Sequence, residues 1–351
     1  MAALLSTAKH GSIRRDGYAR QRFARGRRAL LLASLVLACS AARADWYGKQ
    51  LDMMGTSVSV ELWDDDAEQG PQLVDMVIDD YRRIDRLMST YKQDSEISRI
   101  NAEAADHPVP IEQELFTLID RSLQLSRMSG GAFDITYESV GYLYNFHKKM
   151  HPTERQIEAR LSDINYRNVE LDPEHLTIRF RKHGVRINLG GIAKGYAVEH
   201  AAGLLRAHGI EHAVLNAGGD TRVIGDRLGR PWIIGIRQPR AKNPQAVVTR
   251  LPLVDEAIST SGDYERFFIG ADGKRYHHIM NPKTGEPTTG VISATVIGPD
   301  ATMTDGLSTT VFVLGPKAGM KLIESLPDYE AVIIDKNDHL TYSSGLTAPK
   351  N

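Results

Sequence analysis

Polar and apolar residues alternate strictly over residues 57–63. Val58, Val60 and Leu62 point one way and Ser57, Ser59 and Glu61 the other, which predicts a half-buried strand. The period then changes. Leu73, Val77, Tyr81, Ile84 and Met88 recur at helical spacing, so residues 71–90 read as an amphipathic helix. A second helix runs through Leu115, Leu118, Ile119, Ser122 and Leu125 and stops at Gly130-Gly131, where glycine can take the left-handed conformation that ends helices. Residues 138–175 are less regular and rich in Tyr and His. From 177 onward the pattern predicts strands at 177–181, 185–189, 212–216, 232–236, 254–259, 265–270, 291–298 and 330–335. Helices are expected at 193–208, 303–314 and 316–325, with Gly209 and Gly315 where C-caps belong and Pro316 opening the last. Strands outnumber helices without alternating with them. The expected class is therefore α+β, with mixed or antiparallel sheets and packed helices, rather than a doubly wound dinucleotide fold.

Charge is unevenly spread. The formal net charge of the 351 residues is −1, yet residues 1–44 hold Lys9 and eight arginines against Asp16 alone. The remainder carries 34 basic and 43 acidic residues, a formal net of −9. An acidic body argues against general nucleic-acid binding, which needs a cationic surface. The basic lead ends at Arg27-Arg28, the apolar run Ala29–Ala38 follows, and Ala42-Arg43-Ala44 is a small-x-small cleavage pattern. Together these predict a secretory signal peptide over 1–44 and a mature domain over 45–351, hence a periplasmic address. The only cysteine, Cys39, closes an imperfect lipobox, Val36-Leu37-Ala38-Cys39. It becomes a lipid anchor if used and is lost if cleavage follows Ala44. Neither course leaves an intramolecular disulfide.

Four clusters carry candidate chemistry. Asn188-Leu189-Gly190-Gly191-Ile192-Ala193-Lys194-Gly195-Tyr196 lies between a strand and a helix, where glycines and a helix N-terminus can receive an anion and Lys194 can add a full charge. It matches neither a P-loop nor GxGxxG, and a tight turn explains it equally well. In Asn216-Ala217-Gly218-Gly219-Asp220 the acid either anchors its own loop or contacts a ligand, with the anchoring role preferred. Tyr276-His277-His278-Ile279 precedes the turn Asn281-Pro282-Lys283-Thr284-Gly285. Adjacent histidines on an extended chain face opposite ways, so one could serve as a base but both could not easily share a metal. Asp305 and Thr309, four apart on a helix, offer hard-oxygen ligation suited to Mg²⁺. An acid in the first helical turn is the plainer reading of Asp305.

Each cluster is weak alone; their order along one chain is specific. Met54-Gly55-Thr56, Met88-Ser89-Thr90-Tyr91, Asp94-Ser95-Glu96-Ile97-Ser98, Gly130–Thr136, the Gly190–Tyr196 loop, Asn216–Asp220, Ser259-Thr260-Ser261-Gly262, His278-Ile279 with Pro282–Gly285, and Asp305 with Ser308-Thr309 follow one another as in the ApbE family. The resemblance covers Met54 to about Thr341. It implies an ApbE-like, T-fold-related architecture and an FAD:protein FMN transferase. Such an enzyme splits FAD with Mg²⁺, releases AMP, and joins FMN to a Thr or Ser hydroxyl. The acceptor would be a protein with a Ser-Gly-Ala-Thr-like motif, a subunit of a membrane redox complex. By the same resemblance Gly191, Asp305 and Thr309 would hold Mg²⁺, and His278 would be the base with His277 in reserve. Met54, Tyr91, Ala132, Phe133, Asp134, Asn188, Lys194 and Ile279 would line the FAD site. Two positions depart from the pattern: Asn188 and Asn281 stand where relatives carry Asp. An FAD pyrophosphatase and a non-catalytic periplasmic FAD binder are the competing readings.

Overall fold

In the computed structural model, residues 44–243 and 245–346 are described; the expected signal peptide, the Arg27-Arg28 pair and Cys39 lie outside them. An eight-stranded sheet forms the centre. Its spatial order is Asp45–Met53, Thr56–Asp64, Ala213–Ala217, Asp220–Ile224, Ala257–Gly262, Val291–Gly298, Glu330–Asp335 and Leu340–Tyr342. Every neighbouring pair is antiparallel, so the sheet expectation narrows to antiparallel.

Alternation along these strands sorts side chains to two faces. Leu215, Ala257, Ala294 and Ile333 join the main core with Leu73, Val77 and Tyr81 of the helix Gln69–Met88, Val198 and Ala201 of Ala193–Ala207, and Leu307 and Val311 of Ala301–Ile323. Val223, Ile258, Ile297 and Val332 face the other way, onto Trp232, Ile236 and Leu253 of a separate two-stranded ribbon, Trp232–Arg237 with Val247–Leu253. Both faces are thus covered.

A close backbone approach between two helices fixes the site. A Cβ on Gly195 would stand 2.1 Å from the Ala301 carbonyl oxygen and 2.6 Å from Asp305 Cβ. Only glycine lets the start of the Ala193–Ala207 helix rest on the start of Ala301–Ile323.

Several expectations are corrected. Residues 185–189 are extended, with Val185, Ile187 and Leu189 buried, but they form no ladder. Their backbone is satisfied elsewhere: Ile187 N–H donates to Asn101 Oδ1 and its carbonyl accepts from Asn101 Nδ2, Arg186 N–H donates to Ser139 Oγ, and Asn188 N–H donates to the Ile135 carbonyl. The strand expected at 254–259 begins at Ala257, because Asp255 takes a left-handed φ of 52° in the preceding turn. Residues 301–323 form one kinked helix with Gly315 at φ 80°, so Gly315 does stop the first helical stretch. Strands Asp45–Met53, Asp220–Ile224 and Val247–Leu253 and helices Glu96–Glu103 and Glu154–Leu161 were not expected.

Candidate active site

Asp305 and Asp220 share one cation. Asp305 is 2% exposed and Asp220 1%. Asp305 Oδ2 accepts the Gly195 backbone N–H at 2.9 Å, and Lys194 Nζ lies 3.4 Å away. The same ammonium forms an ion pair with Asp220 Oδ2 at 2.8 Å. Burial, then the neighbouring Asp220 charge, push the Asp305 carboxyl up to about 7 against the pull of Lys194 and the Gly195 N–H. Burial alone would depress the Lys194 ammonium, but the two acids outweigh it and raise its pKa above the ordinary lysine value. The cluster holds two carboxylates, one ammonium and surplus negative charge.

Hydroxyls line the same wall. Ser261 Oγ is 2.9 Å from Ser308 Oγ and 3.1 Å from Thr309 Oγ1, and Ser259 Oγ is 2.8 Å from Thr304 Oγ1. A Cβ on Gly191 would lie 3.4 Å from Thr309 Oγ1 and 3.3 Å from the Phe133 ring, so the glycine loop passes directly over this wall. The Gly191 carbonyl accepts no backbone hydrogen bond among the described residues.

The other end of the loop is tied to a second buried acid. Asn188 Oδ1 accepts the Gly190 N–H at 2.8 Å, while its Nδ2 donates to Glu138 Oε2 at 3.0 Å and to Thr90 Oγ1 at 3.3 Å. Burial pushes Glu138 up to about 7, against the lowering effects of that amide and of Arg186.

The two histidines divide as the extended chain requires. His277 is buried: its Nε2–H donates to the Thr288 carbonyl at 2.8 Å, its Nδ1 accepts the Ile279 N–H at 3.3 Å, and its edge meets the Phe312 ring. Both nitrogens are consumed, so it is a structural residue and no reserve base. His278 Nδ1–H points to the Arg266 carbonyl at 3.3 Å. That tautomer leaves Nε2 with its lone pair free, and among the described residues Nε2 has no hydrogen-bond partner. Part of His278 reaches solvent, yet protein packs round its ring. Burial first, then the charges of Arg266, His277 and Lys194, push its pKa down to about 3, so the ring is neutral.

Arg266 binds the rim together. Its Nη1 donates to Tyr91 Oη at 3.1 Å, and its guanidinium would stand 2.7 Å from a Cβ on Gly55. Met54 and Gly55 form the two-residue turn between the first two strands, both at positive φ. The Tyr91 ring is 71% exposed.

The structure therefore brings together Gly191, Thr309, Asp305, Lys194 and Phe133 at the floor, and His278, Tyr91 and the Met54 turn about Arg266. Ala132 and Ile279 are buried beside their respective loops. Asp134 Oδ1 accepts from Thr136 N–H and Oγ1, and its Oδ2 accepts the Tyr166 N–H, so the carboxylate shapes the Phe133 loop. Asp305 lies beyond the helix's first turn, since Asp300 is the N-cap and Ala301 the start, and the anion received by the glycine-loop helix is Asp305 itself. The preference for Asp220 as a loop anchor is also overturned, because among the described residues no backbone N–H reaches its carboxylate and its ion-pair partner is Lys194. Sequence reasoning missed Glu138 and Arg266 altogether. Glu138 follows an unremarkable Thr136-Tyr137, and nothing about its position signals burial. Ser261 was seen only as part of a motif.

The model of the ApbE family matches residues 54–333. An FAD:protein FMN transferase of Klebsiella pneumoniae is 30% identical over 301 residues, covering 85% of this chain and 92% of that protein. One from Treponema pallidum is 32% identical over 280 residues, covering 74% and 76% respectively. Among solved structures, the ApbE protein of Thermotoga maritima superimposes with a TM-score of 0.78 at 33% identity, covering 86% of this chain and 98% of that one. The flavin transferase ApbE from Vibrio cholerae gives 0.76 at 28% identity, with the same coverage.

Proposed function

The chain belongs to the ApbE family, and from that premise we propose that it transfers FMN from FAD to a Thr or Ser hydroxyl of an acceptor protein, with Mg²⁺ and release of AMP. The observation that carries this reading is the coexistence of a buried, over-acidic oxygen cluster and a neutral histidine influenced by the same ammonium, Lys194.

The residues fit a hard divalent cation. Among the described residues no three His, Cys, Asp or Glu side chains converge as a ligand cage. Mg²⁺ does not require one: it takes one or two carboxylates and completes its shell with other oxygens and phosphate. Asp305, the Thr309 hydroxyl and the Gly191 carbonyl would hold it, and Asp220, paired with Lys194, supplies nearby negative charge. When bound, the ion polarises the pyrophosphate oxygens of FAD and offsets charge developing there. The chain's own groups do the rest. Lys194 presents its ammonium to the phosphates. The exposed Tyr91 ring offers aromatic surface to the flavin or adenine, while Phe133 is buried beneath the glycine loop. His278 Nε2 accepts the proton of the attacking hydroxyl, a weak nucleophile until it is removed. A pKa of about 3 makes the isolated ring a feeble base. An incoming pyrophosphate offsets Arg266 and Lys194, two of the cations that depress it, and so strengthens it.

Export through residues 1–44, with an acceptor outside the cytoplasm, belongs to the same proposal and is supported by the basic lead and short apolar run. The test is to incubate residues 45–351 with FAD, Mg²⁺ and a peptide bearing a Ser-Gly-Ala-Thr-like motif, and to weigh every component by mass spectrometry. An FMN-sized gain on the peptide with matching AMP supports transfer. AMP and free FMN formed regardless of peptide would make the protein a pyrophosphatase.

A further inference from the structure

One hydroxyl beside the glycine loop is left without a partner. Tyr137 lies between two residues that are both tied to Asn188. The Ile135 carbonyl accepts the Asn188 N–H at 2.9 Å, and Glu138 Oε2 accepts from Asn188 Nδ2 at 3.0 Å. Asn188 in turn holds the Gly190 N–H. The backbone about Tyr137 is thus fastened to the glycine loop on both sides. Its ring packs against the small cluster of Val140, Tyr144, Ile157 and Met280, and a Cβ on Gly141 would stand 3.0 Å from the ring atom Cδ2. The ring is spent on packing, and its hydroxyl is what remains to be offered.

That hydroxyl stands at the site. A Cβ on Gly190 would lie 3.6 Å from Tyr137 Oη, and the next residue, Gly191, passes over Thr309. Among the described residues Tyr137 Oη makes no hydrogen bond, and part of the residue reaches solvent. Burial first, then the charges of Glu138 and Tyr91, push the phenol well above its ordinary value against the pull of Arg266, so it keeps its proton and can donate. Arg266 is itself uncommitted: it donates to Tyr91 Oη but has no acidic partner among the described residues, whereas Lys194 already stands between two carboxylates. A neutral donor and an unpaired guanidinium at one loop complement a group that only accepts hydrogen bonds and carries negative charge, which is the description of a phosphate.

We propose that the Tyr137 hydroxyl donates a hydrogen bond to a phosphate oxygen of bound FAD, a further substrate contact beside the Arg266 guanidinium. The inference rests on the reading of this site as one that binds FAD; it needs neither the acceptor protein nor the fate of the FMN half. The flavin and adenine rings are the lesser candidates, because they ask for a free aromatic face and the Tyr137 ring is covered by its own cluster. Fixed through Ile135, Glu138 and Asn188, the phenol is already ordered before the ligand arrives, so the contact costs little side-chain entropy.

The test is Tyr137→Phe, which removes one oxygen and keeps the ring in its packing. The Kd for FAD, read from flavin fluorescence with Mg²⁺ present, should rise about tenfold, the size of one hydrogen bond to a charged acceptor. ADP, which carries a pyrophosphate and no flavin, should weaken by the same factor as a competitor of FAD. The thermal midpoint without ligand should stay at the wild-type value, because the hydroxyl has no partner to lose. FAD affinity within about twofold of the wild type overturns the proposal. Weakened FAD binding beside unchanged ADP binding moves the contact to the flavin and overturns the phosphate assignment. A lowered thermal midpoint overturns it as well, since the hydroxyl would then serve the fold. Failure of the transferase reading has a different signature: wild-type protein that frees FMN and AMP with the peptide unlabelled. Both reactions hold the same pyrophosphate, so a matched loss of FAD and ADP affinity would support the contact in that case too.

Discussion

Two buried carboxylates grip opposite ends of the same loop, and both are pushed up to about 7. Asp305 holds the Gly195 end through a backbone N–H; Glu138 holds the Asn188 end through an amide. Their surroundings differ. Asp305 has a second acid, an ammonium, three nearby hydroxyls and a carbonyl without a backbone partner, so its pocket holds more oxygen and negative charge than the protein neutralises. Glu138 has the Asn188 amide as hydrogen-bond donor and the more distant charge of Arg186, and nothing converges on it that a ligand would complete. A raised pKa records burial; the donor set around the group decides whether burial serves a ligand or the fold.

The largest expected effect comes from breaking the first pocket. Asp305→Asn keeps an oxygen for the Gly195 N–H and removes one charge. FMN transfer should fall by about a thousandfold or more, the several kcal/mol a catalytic cation contributes. The loss should be accompanied by a much weaker dependence on added Mg²⁺, read by titrating the metal in the turnover assay. If Asp305→Asn retains wild-type activity and Mg²⁺ response, the two carboxylates are equivalent and the contrast between them collapses.

The two pockets were also unequally visible in the sequence. Asp305 and Thr309 are four apart and announce a shared helix face, and the glycines at 190, 191 and 195 announce a close approach. What the spacing could not give is the partner: that Gly195 is glycine because the Ala301 carbonyl sits on it, or that Asp220 belongs to Lys194 rather than to its own loop. Those are contacts between elements distant in the chain. Glu138 sits in an irregular segment, where no period exists to betray burial, and Arg266 falls in the strand expected at 265–270, whose pattern does not say what its side chain reaches. Residues 185–189 show the converse failure. Alternation correctly marked Val185, Ile187 and Leu189 as inward, but it cannot distinguish a ladder from a chain held by Asn101 and Ser139. Five of the eight sheet strands were legible because they alternate or are wholly apolar, while Asp45–Met53, Asp220–Ile224 and Leu340–Tyr342 were not, and the pattern left mixed and antiparallel pairing open.

The adjacent histidines sharpen the comparison at the next level of effect. His278→Gln should reduce transfer by about a hundredfold or more, the usual contribution of a positioned base, with FAD affinity little changed. Since His278 is pushed down to about 3 in the free protein, its own protonation should not shape kcat/KM for FAD between pH 5 and 8. His277→Gln should instead lower stability, because the buried Thr288 carbonyl and Ile279 N–H lose a geometry only imidazole meets at both ends. Thermal midpoints beside turnover numbers separate the two. A His277 variant with normal stability and no activity would reverse their roles.

Glu138 gives the smallest effect on activity and the clearest one on pH. Its folded pKa lies above the value of 4.5 expected of an unperturbed glutamate. Between pH 4.5 and about 7 the folded state therefore holds a proton that the unfolded chain releases, and stability from this group falls as pH rises through that window. Below it the stabilisation is fully present. Glu138→Gln removes the titration while keeping an oxygen for Asn188 Nδ2. It should match the wild type at pH 4 and exceed it by about 1–3 kcal/mol at pH 8, measured by urea unfolding. FMN transfer should stay within about threefold, since a difference under 0.7 kcal/mol is what a preserved loop geometry allows. A variant that is destabilised at pH 8, or that loses transfer while binding FAD normally, would show that the Glu138 charge itself is needed. The second pocket would then belong to the chemistry rather than to the frame that holds Gly190 and Gly191 over Thr309.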